Sequence, residues 1–288
     1  MLTAQITGGL GNQLFTYARL ATYAYRNGIN LQIDGSISER VLGRAPDLFD
    51  FKLLGEPRIL LNSYSSAAVQ RERFLWRSSF TRSISKRHRE SVLGNSEISR
   101  KNLDGWKVRG FFQDYKVAED FIDIFGENAI SLQKESRELS RTSDEISQKS
   151  VAAIHVRRGD YLNYQDSFGL LSDDYYVNAL KTLSEKKNLS EAIVFTDSPE
   201  MVEELRDKLD MKSRIISPSD LSTSETMVLM SRCSGLVTSN STFSFWAGIL
   251  GNNLEVVVPD PWFKSTDAWL RSSDFSKPEW LQQKAIWS

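Results

Sequence analysis

The feature that most restricts what this chain can fold into begins at residue 151, where short apolar runs start to alternate with longer stretches of helical spacing. "VAAIHV" (151–156) is followed by "DDYYVNALKTLSEKKN", then come "AIVFTD", "SRIIS", "SETMVLMSRCSG", "GLVTS", "STFSFWAGILGN" and "LEVVVP". Between "AIVFTD" and "SRIIS", Ser198 caps a helix with Pro199 at its first position, expected to run through "EMVEELRDKL". A strand with no polar face must be covered on both sides, and strands joined by helical crossovers run parallel with right-handed connections. Five strands in this rhythm therefore predict an α/β fold with a doubly wound parallel sheet in the carboxyl-terminal half.

The amino-terminal half starts in the same way and then loses its rhythm. Leu2, Ala4 and Ile6 alternate as in a strand, "GGLGN" interrupts, and "NQLFTYARLATYAYRNG" has helical spacing, with Asn12 as the expected polar cap and Asn27-Gly28 at the other end. "INLQIDG" reads as a second strand, whereas residues 36–110 show no clear period. In 131–150 the residues Leu132, Leu139 and Ile146 lie seven apart in a polar stretch, which predicts a solvated helix with one thin apolar stripe. With 288 residues and 40% hydrophobic content, two domains are expected, at 1–150 and 151–288.

Charge narrows the function classes. Lys and Arg total 36 against 37 Asp and Glu, which argues against a nucleic-acid-binding protein. The exception is a basic arm over 71–109, with eleven Lys/Arg and four Asp/Glu. Within it, "RERFLWRSSFTRSISKRHRE" (71–90) interleaves Phe74, Leu75, Trp76, Phe80 and Ile84 with seven basic residues. That pattern suits either a helix lying on an anionic bilayer or a solvated face packed on its own domain. The single cysteine, Cys233, forms no internal disulfide and fits a reducing compartment. The first residues lack a signal-peptide pattern, and no run approaches the ~20 apolar residues of a membrane span. A cytoplasmic protein, with peripheral contact at the inner face of the membrane through the basic arm, is the expectation.

In an open parallel sheet, ligands bind beyond the carboxyl ends of the strands. Those ends are polar here: "HVRRGD" after the first strand of the second half, "TDS" after the next, and "SNSTFS" opening a helix. By strand alternation, His155 and Arg157 share a face and Arg158 points the other way, so the two arginines have different jobs. A guanidinium fork and a helix amino terminus both suit phosphate oxygens. Arg157 and the helix start at 239–244 would clamp a diphosphate, with Asp160 orienting an arginine or taking a proton. Arg158 is a further nucleotide-contact candidate. The competing readings are a structural Arg157–Asp160 ion pair turned by Gly159, and an ordinary serine helix cap. The loop "TGGLGNQ" lacks the third glycine of the dinucleotide fingerprint and the Lys-Ser/Thr of a P-loop, so it is either a ligand-approach loop or a tight turn. Asp-x-Asp occurs nowhere, and His88 and His155 do not form a metal pattern. Phosphate charge is thus expected to be met by protein groups, with no metal and no other cofactor.

Together, "GGLGNQLFTYARL", "HVRRGDY", "VFTDS" and "SNSTFSFWAGIL", in that order between residue 8 and about 250, resemble the GDP-L-fucose-dependent α-1,2-fucosyltransferases of glycosyltransferase family 11. The resemblance implies a GT-B-like architecture of two Rossmann-like domains facing a cleft, the first on the acceptor side and the second holding the GDP-sugar. It implies that Arg157 binds the β-phosphate and stabilises departing GDP, that His155 contacts the nucleotide, and that Ser241, Thr242 and Phe243 meet the diphosphate. Gly11 and Asn12 would reach toward the donor, and Glu225 would hold the guanine edge, although the acid expected there falls at Thr226. Asp160 ranks first as general base, with Asp166 and Asp174 behind it. The implied reaction is an inverting transfer of L-fucose to the 2-hydroxyl of a β-galactoside, such as a lipid-linked O-antigen precursor. Transfer of another GDP-sugar, and a noncatalytic nucleotide- or glycan-binding module, are the alternatives.

Overall fold

The structure is a computed structural model that describes residues 1–61, 90–92, 98, 102–159, 165, 166, 168–252, 254–265 and 271–288. Asp160 and all of the 71–90 arm but its last residue lie outside the described residues, so those two expectations are not addressed by it.

The chain divides into two compact units, Met1–Gln133 and Lys134–Ser288. In unit 1, strands β1 (Leu2–Gln5), β2 (Leu31–Asp34), β3 (Arg58–Leu60), β4 (Glu90–Val92) and β5 (Lys107–Arg109) form a parallel sheet in the order β3-β2-β1-β5-β4. Helix α1 (Leu10–Arg26) is buried nearly all round, α2 (Ser36–Leu42) follows β2, and α3 (Tyr115–Phe125) packs on α1 with the Tyr17 and Phe121 rings 5.6 Å apart. Leu2, Ala4, Leu20, Tyr23, Ala24, Val108 and Phe112 share one core.

The glycine loop differs from expectation in one respect. Gly9, not Asn12, is the cap of α1, and Asn12 already lies inside the first turn. Gly8 alone uses glycine's freedom, at φ +78.

In unit 2 the first helix is α4 (Arg137–Ser147), capped by Ser136, whose side chain accepts from the Leu139 amide; Leu139, Thr142 and Ile146 are its buried stripe. This helix packs against α7 (Thr223–Ser231, below), which is why the division falls after Gln133 rather than at 150. Six strands follow in a wholly parallel sheet of order β11-β10-β9-β6-β7-β8: β6 (Val151–Val156), β7 (Glu191–Thr196), β8 (Ser213–Ile216), β9 (Gly235–Val237), β10 (Glu255–Asp260) and β11 (Leu281–Lys284). The crossovers include α5 (Asp173–Ser184), α6 (Glu203–Lys208), α7 and α8 (Thr242–Leu250). All six residues of β6 are buried, as a two-sided strand requires. Helix α5 supplies Tyr175, Tyr176, Ala179, Leu180 and Leu183 to the core under it, at the spacing of one helical face, with Asp173 and Asp174 favourably placed at its amino terminus.

Two local expectations are corrected. The helix foreseen from Ser198 onward is a 3-10 turn, Pro199–Met201, and then α6, because Val202 leaves helical geometry (φ −122) to sit fully buried in the core. The sheet has a sixth strand beyond the five expected, β11: "LQQK" has only half-buried alternate residues and pairs at the sheet edge with β10.

The order of the strands sets where a ligand can bind. From β6 the chain steps outward to β7 and β8, then returns to β9 on the other side of β6 and continues to β10. Helices therefore leave in opposite directions beyond the carboxyl ends of β6 and β9, and a crevice opens there. Unit 1 repeats the arrangement between β1 and β5.

Candidate functional site

The switch point of unit 2 collects most of the residues singled out in the sequence. His155, on β6, is 4% exposed and its Nδ1 lies 2.8 Å from Oγ of Ser239, just beyond β9. Its ring stands 5.3 Å from that of Phe243, in the first turn of α8. Burial pushes the imidazole down to about 3, and the nearby Arg157 charge adds to the effect, so the ring is neutral at physiological pH. Ser241 caps α8, accepting from the Phe243 amide at 3.3 Å, and Ser244 hydrogen-bonds back to the Ser239 and Ser241 carbonyls. Asn240 donates to the carbonyls of Phe168 and Gly169, which fixes the loop ahead of the helix. One imidazole, one arginine and the amino terminus of a helix thus stand together, a neutral ring and a cation beside an anion-favouring dipole.

Arg157 and Arg158 do divide their work. The Arg157 side chain is 31% exposed, and its Nε is 3.3 Å from Oδ2 of Asp197. Oδ1 of Asp197 accepts from the backbone amides of Arg158 at 3.2 Å and Gly159 at 3.3 Å. A single carboxylate at the end of β7 therefore holds both the arginine and the loop that carries it. A side chain at position 159 would meet Ser198 Oγ at 2.9 Å and Asp197 Oδ2 at 3.0 Å, which is why this close approach needs glycine. Arg158 turns inward. It donates from Nη1 to the Met201 carbonyl and from Nη2 to Asp173, both at 2.5 Å, and lies over the Tyr176 ring. Burial would raise the Asp173 carboxyl, but hydrogen bonds from Lys208 and Arg158 outweigh it and hold the group below its usual range.

Glu225 is engaged at two helix starts. One carboxylate oxygen accepts from the Ser136 amide at 2.7 Å; the other accepts from the Ser222 hydroxyl at 2.9 Å and from the Ser222 amide at 3.3 Å, while the Glu225 amide donates back to the Ser222 hydroxyl at 3.3 Å, a reciprocal capping box on α7. Burial raises its pKa less than these hydrogen bonds lower it. In unit 1, Oδ1 of Asn12 accepts from Nε2 of Gln113 at 2.7 Å, while Gly11 is buried in the first turn of α1. Of the other predicted residues, Thr242 begins α8 and Asp174 lies in the first turn of α5. Among the described residues, no group of three or more His, Cys, Asp or Glu is gathered as metal ligands would be.

A family profile decides the lineage: glycosyl transferase family 11 matches residues 1–284. The chain belongs to glycosyl transferase family 11. Among curated proteins, this family 11 glycosyltransferase is 25% identical over 98% of both chains to an α-1,2-colitosyltransferase of Escherichia coli. It is 26% identical to the O-antigen biosynthesis glycosyltransferase WbnK of Escherichia coli, over 90% of this chain and 93% of that one. Among solved structures it resembles the fucosyltransferase NodZ from Bradyrhizobium, with TM-score 0.52 and 14% identity over 86% of this chain and 92% of that one. A NodZ α-1,6-fucosyltransferase co-crystallized with GDP superposes with TM-score 0.53 at 15% identity, covering 86% and 91%. At that identity the likeness establishes the fold, which is GT-B-like α/β with two parallel sheets.

Two residues of this glycosyltransferase that touch the site were not singled out in the sequence. Asp197 stood in the quoted "TDS" at a strand end, and the signal was its position alone. Ser239 was visible only as the first of several serines. No helix among the described residues is long and apolar enough to cross a membrane.

Proposed function

We propose that this glycosyltransferase moves L-fucose, with inversion, from GDP-β-L-fucose to the 2-hydroxyl of a β-galactoside, in the assembly of a bacterial O-antigen. The observation that carries the proposal is Arg157, held at Nε by Asp197 beyond β6, beside the buried His155–Ser239 pair and the Ser241-capped start of α8. In the transfer the acceptor oxygen attacks C1 on the face opposite the diphosphate, the C1–O bond to phosphate breaks, and both bonding electrons leave with GDP. Charge grows on the β-phosphate as that bond lengthens, so fixed donors at this point lower the barrier more than they tighten substrate binding. Arg157 and the first amides of α8 are those donors. Neutral His155 adds a polar contact without adding charge that would compete with Arg157. In this reading no divalent ion is needed, because cation and dipole come from the chain. The acceptor hydroxyl loses its proton to a carboxylate, with Asp160 the first candidate. The α-1,2 linkage and the O-antigen setting draw on what the two Escherichia coli relatives are named for, and the GDP donor on the NodZ co-crystal.

One relative favours a second reading, transfer of colitose, which is L-fucose without its 3-hydroxyl. A site that hydrogen-bonds that hydroxyl rejects the deoxy sugar by a factor on the order of 10⁴. Offering GDP-L-fucose and GDP-colitose separately with a panel of β-galactosides, in EDTA, and weighing the products by mass spectrometry separates the readings. Fucosylated product in EDTA supports the proposal; colitosylated product alone replaces its donor, and transfer only after adding Mn²⁺ or Mg²⁺ removes its electrostatic basis.

A further inference from the structure

The switch point of unit 1, between β1 and β5, carries an exposed aromatic ring, Phe111, beside the glycine loop. Beyond β5, the Gly110 carbonyl accepts from the Thr16 hydroxyl at 2.7 Å, which ties this loop to the second turn of α1. Phe112 follows with φ +51, a left-handed conformation that a phenylalanine rarely adopts, and its side chain is 6% exposed in the core. The reversal leaves Phe111 outside. Its side chain is 46% exposed, and its Cε1 lies 3.5 Å from where a Cβ on Gly8 would stand. That same Cβ would come 3.0 Å from Asn12 Nδ2, so the glycine loop, Phe111 and Asn12 meet at one point. Gln113 closes the group through its bond to Asn12.

Exposing an aromatic ring costs hydrophobic burial, and a strained neighbour is tolerated where function needs the geometry. The group is uncharged: one exposed aromatic ring beside two side-chain amides. Neutral, flat on one side and able to donate and accept on the other, it suits a pyranose. A galactose ring presents its C3, C4 and C5 hydrogens on one face and its hydroxyls around the rim. A nucleotide phosphate would instead call for cations.

We propose that Phe111 is the platform on which the acceptor galactose stacks, with the Asn12–Gln113 amide pair toward its hydroxyls, which makes Phe111 a specificity-determining residue for the acceptor. The assignment rests on the transferase reading above. Two measurements test it independently. In kinetics, Phe111→Ala raises the acceptor KM roughly tenfold, while the donor KM and acceptor-free donor hydrolysis stay within about twofold; Phe111→Tyr and Phe111→Trp stay near wild type. In saturation-transfer NMR, methyl β-D-galactoside binds the wild-type protein through its C3–C5 hydrogens, and Phe111→Ala with unchanged circular dichroism loses that signal. An unchanged acceptor KM in Phe111→Ala, or a rise in the donor KM in its place, overturns the assignment and leaves the transferase reading intact. If no galactoside is fucosylated, the transferase reading fails, and the NMR result still decides the platform: no wild-type signal, or one that survives in Phe111→Ala, removes it.

Discussion

His155 offers the sharpest quantitative test, because its environment fixes both a number and a sign. Burial and the Arg157 charge hold its pKa at about 3, against about 6.5 for an exposed histidine in the unfolded chain. The depressed value means that the fold excludes the protonated ring, so the unfolded state binds the extra proton and stability falls as pH drops below about 6.5. At pH 5 the unfolded chain is almost fully protonated at this site and the folded one almost not at all. Taking about 1.4 kcal/mol per pH unit, the difference between pH 7 and pH 5 is about 2 kcal/mol, or roughly 25-fold in the folding equilibrium. The assay is urea unfolding of wild type and His155→Asn, which can still hydrogen-bond Ser239, at both pH values. Wild type loses about 2 kcal/mol more than the variant between pH 7 and pH 5. Proton NMR supplies a direct check, since the chain has only two histidines and His88→Gln leaves one imidazole signal. That signal stays fixed from pH 8 to pH 5. A midpoint near 6.5, or equal acid sensitivity in the two proteins, would refute the buried neutral imidazole and with it the argument that Arg157 carries the positive charge of the site alone.

Arg157→Ala lowers kcat by a factor of about 10²–10³ with an unaltered circular dichroism spectrum, and retention of more than about a tenth of the activity would remove its role at the leaving group. Glu225→Ala deprives two helix starts of an acceptor and lowers the stability of the protein by about 1–3 kcal/mol in urea unfolding. If it instead left stability unchanged and weakened GDP binding tenfold, the residue would belong to guanine recognition. Gly235→Ala places a methyl group 2.8 Å from the Leu183 side chain and costs about 1–3 kcal/mol, with Leu183→Val in the same chain restoring part of the loss. A thermal midpoint equal to wild type would contradict the close packing of α5 on β9.

The sequence by itself determined the elements whose pattern is local. The runs at 151–156 and 256–258 have no charged residue and are buried on both faces, as central strands are, and the helices between them followed from spacing and caps. It also determined that the polar residues cluster at strand ends, and hence that His155, Arg157 and the start of α8 share one edge of the sheet. It did not reveal β11, whose stability comes from pairing with β10 and not from its own residues, nor the break at Val202, which the core imposes on an otherwise helical stretch. The tasks of individual polar groups were settled in three dimensions. Arg157 and Arg158 are chemically identical neighbours, but one reaches Asp197 at the crevice and the other Asp173 inside the fold, and each partner lies far away in the chain. Glu225 caps its own helix through Ser222 three residues before it, but it reaches a second helix start only because α4 brings Ser136 to it. Hydrophobic periodicity is written residue by residue, whereas the partner of a buried charge depends on which strands lie side by side, and strand order is decided only when the whole sheet assembles.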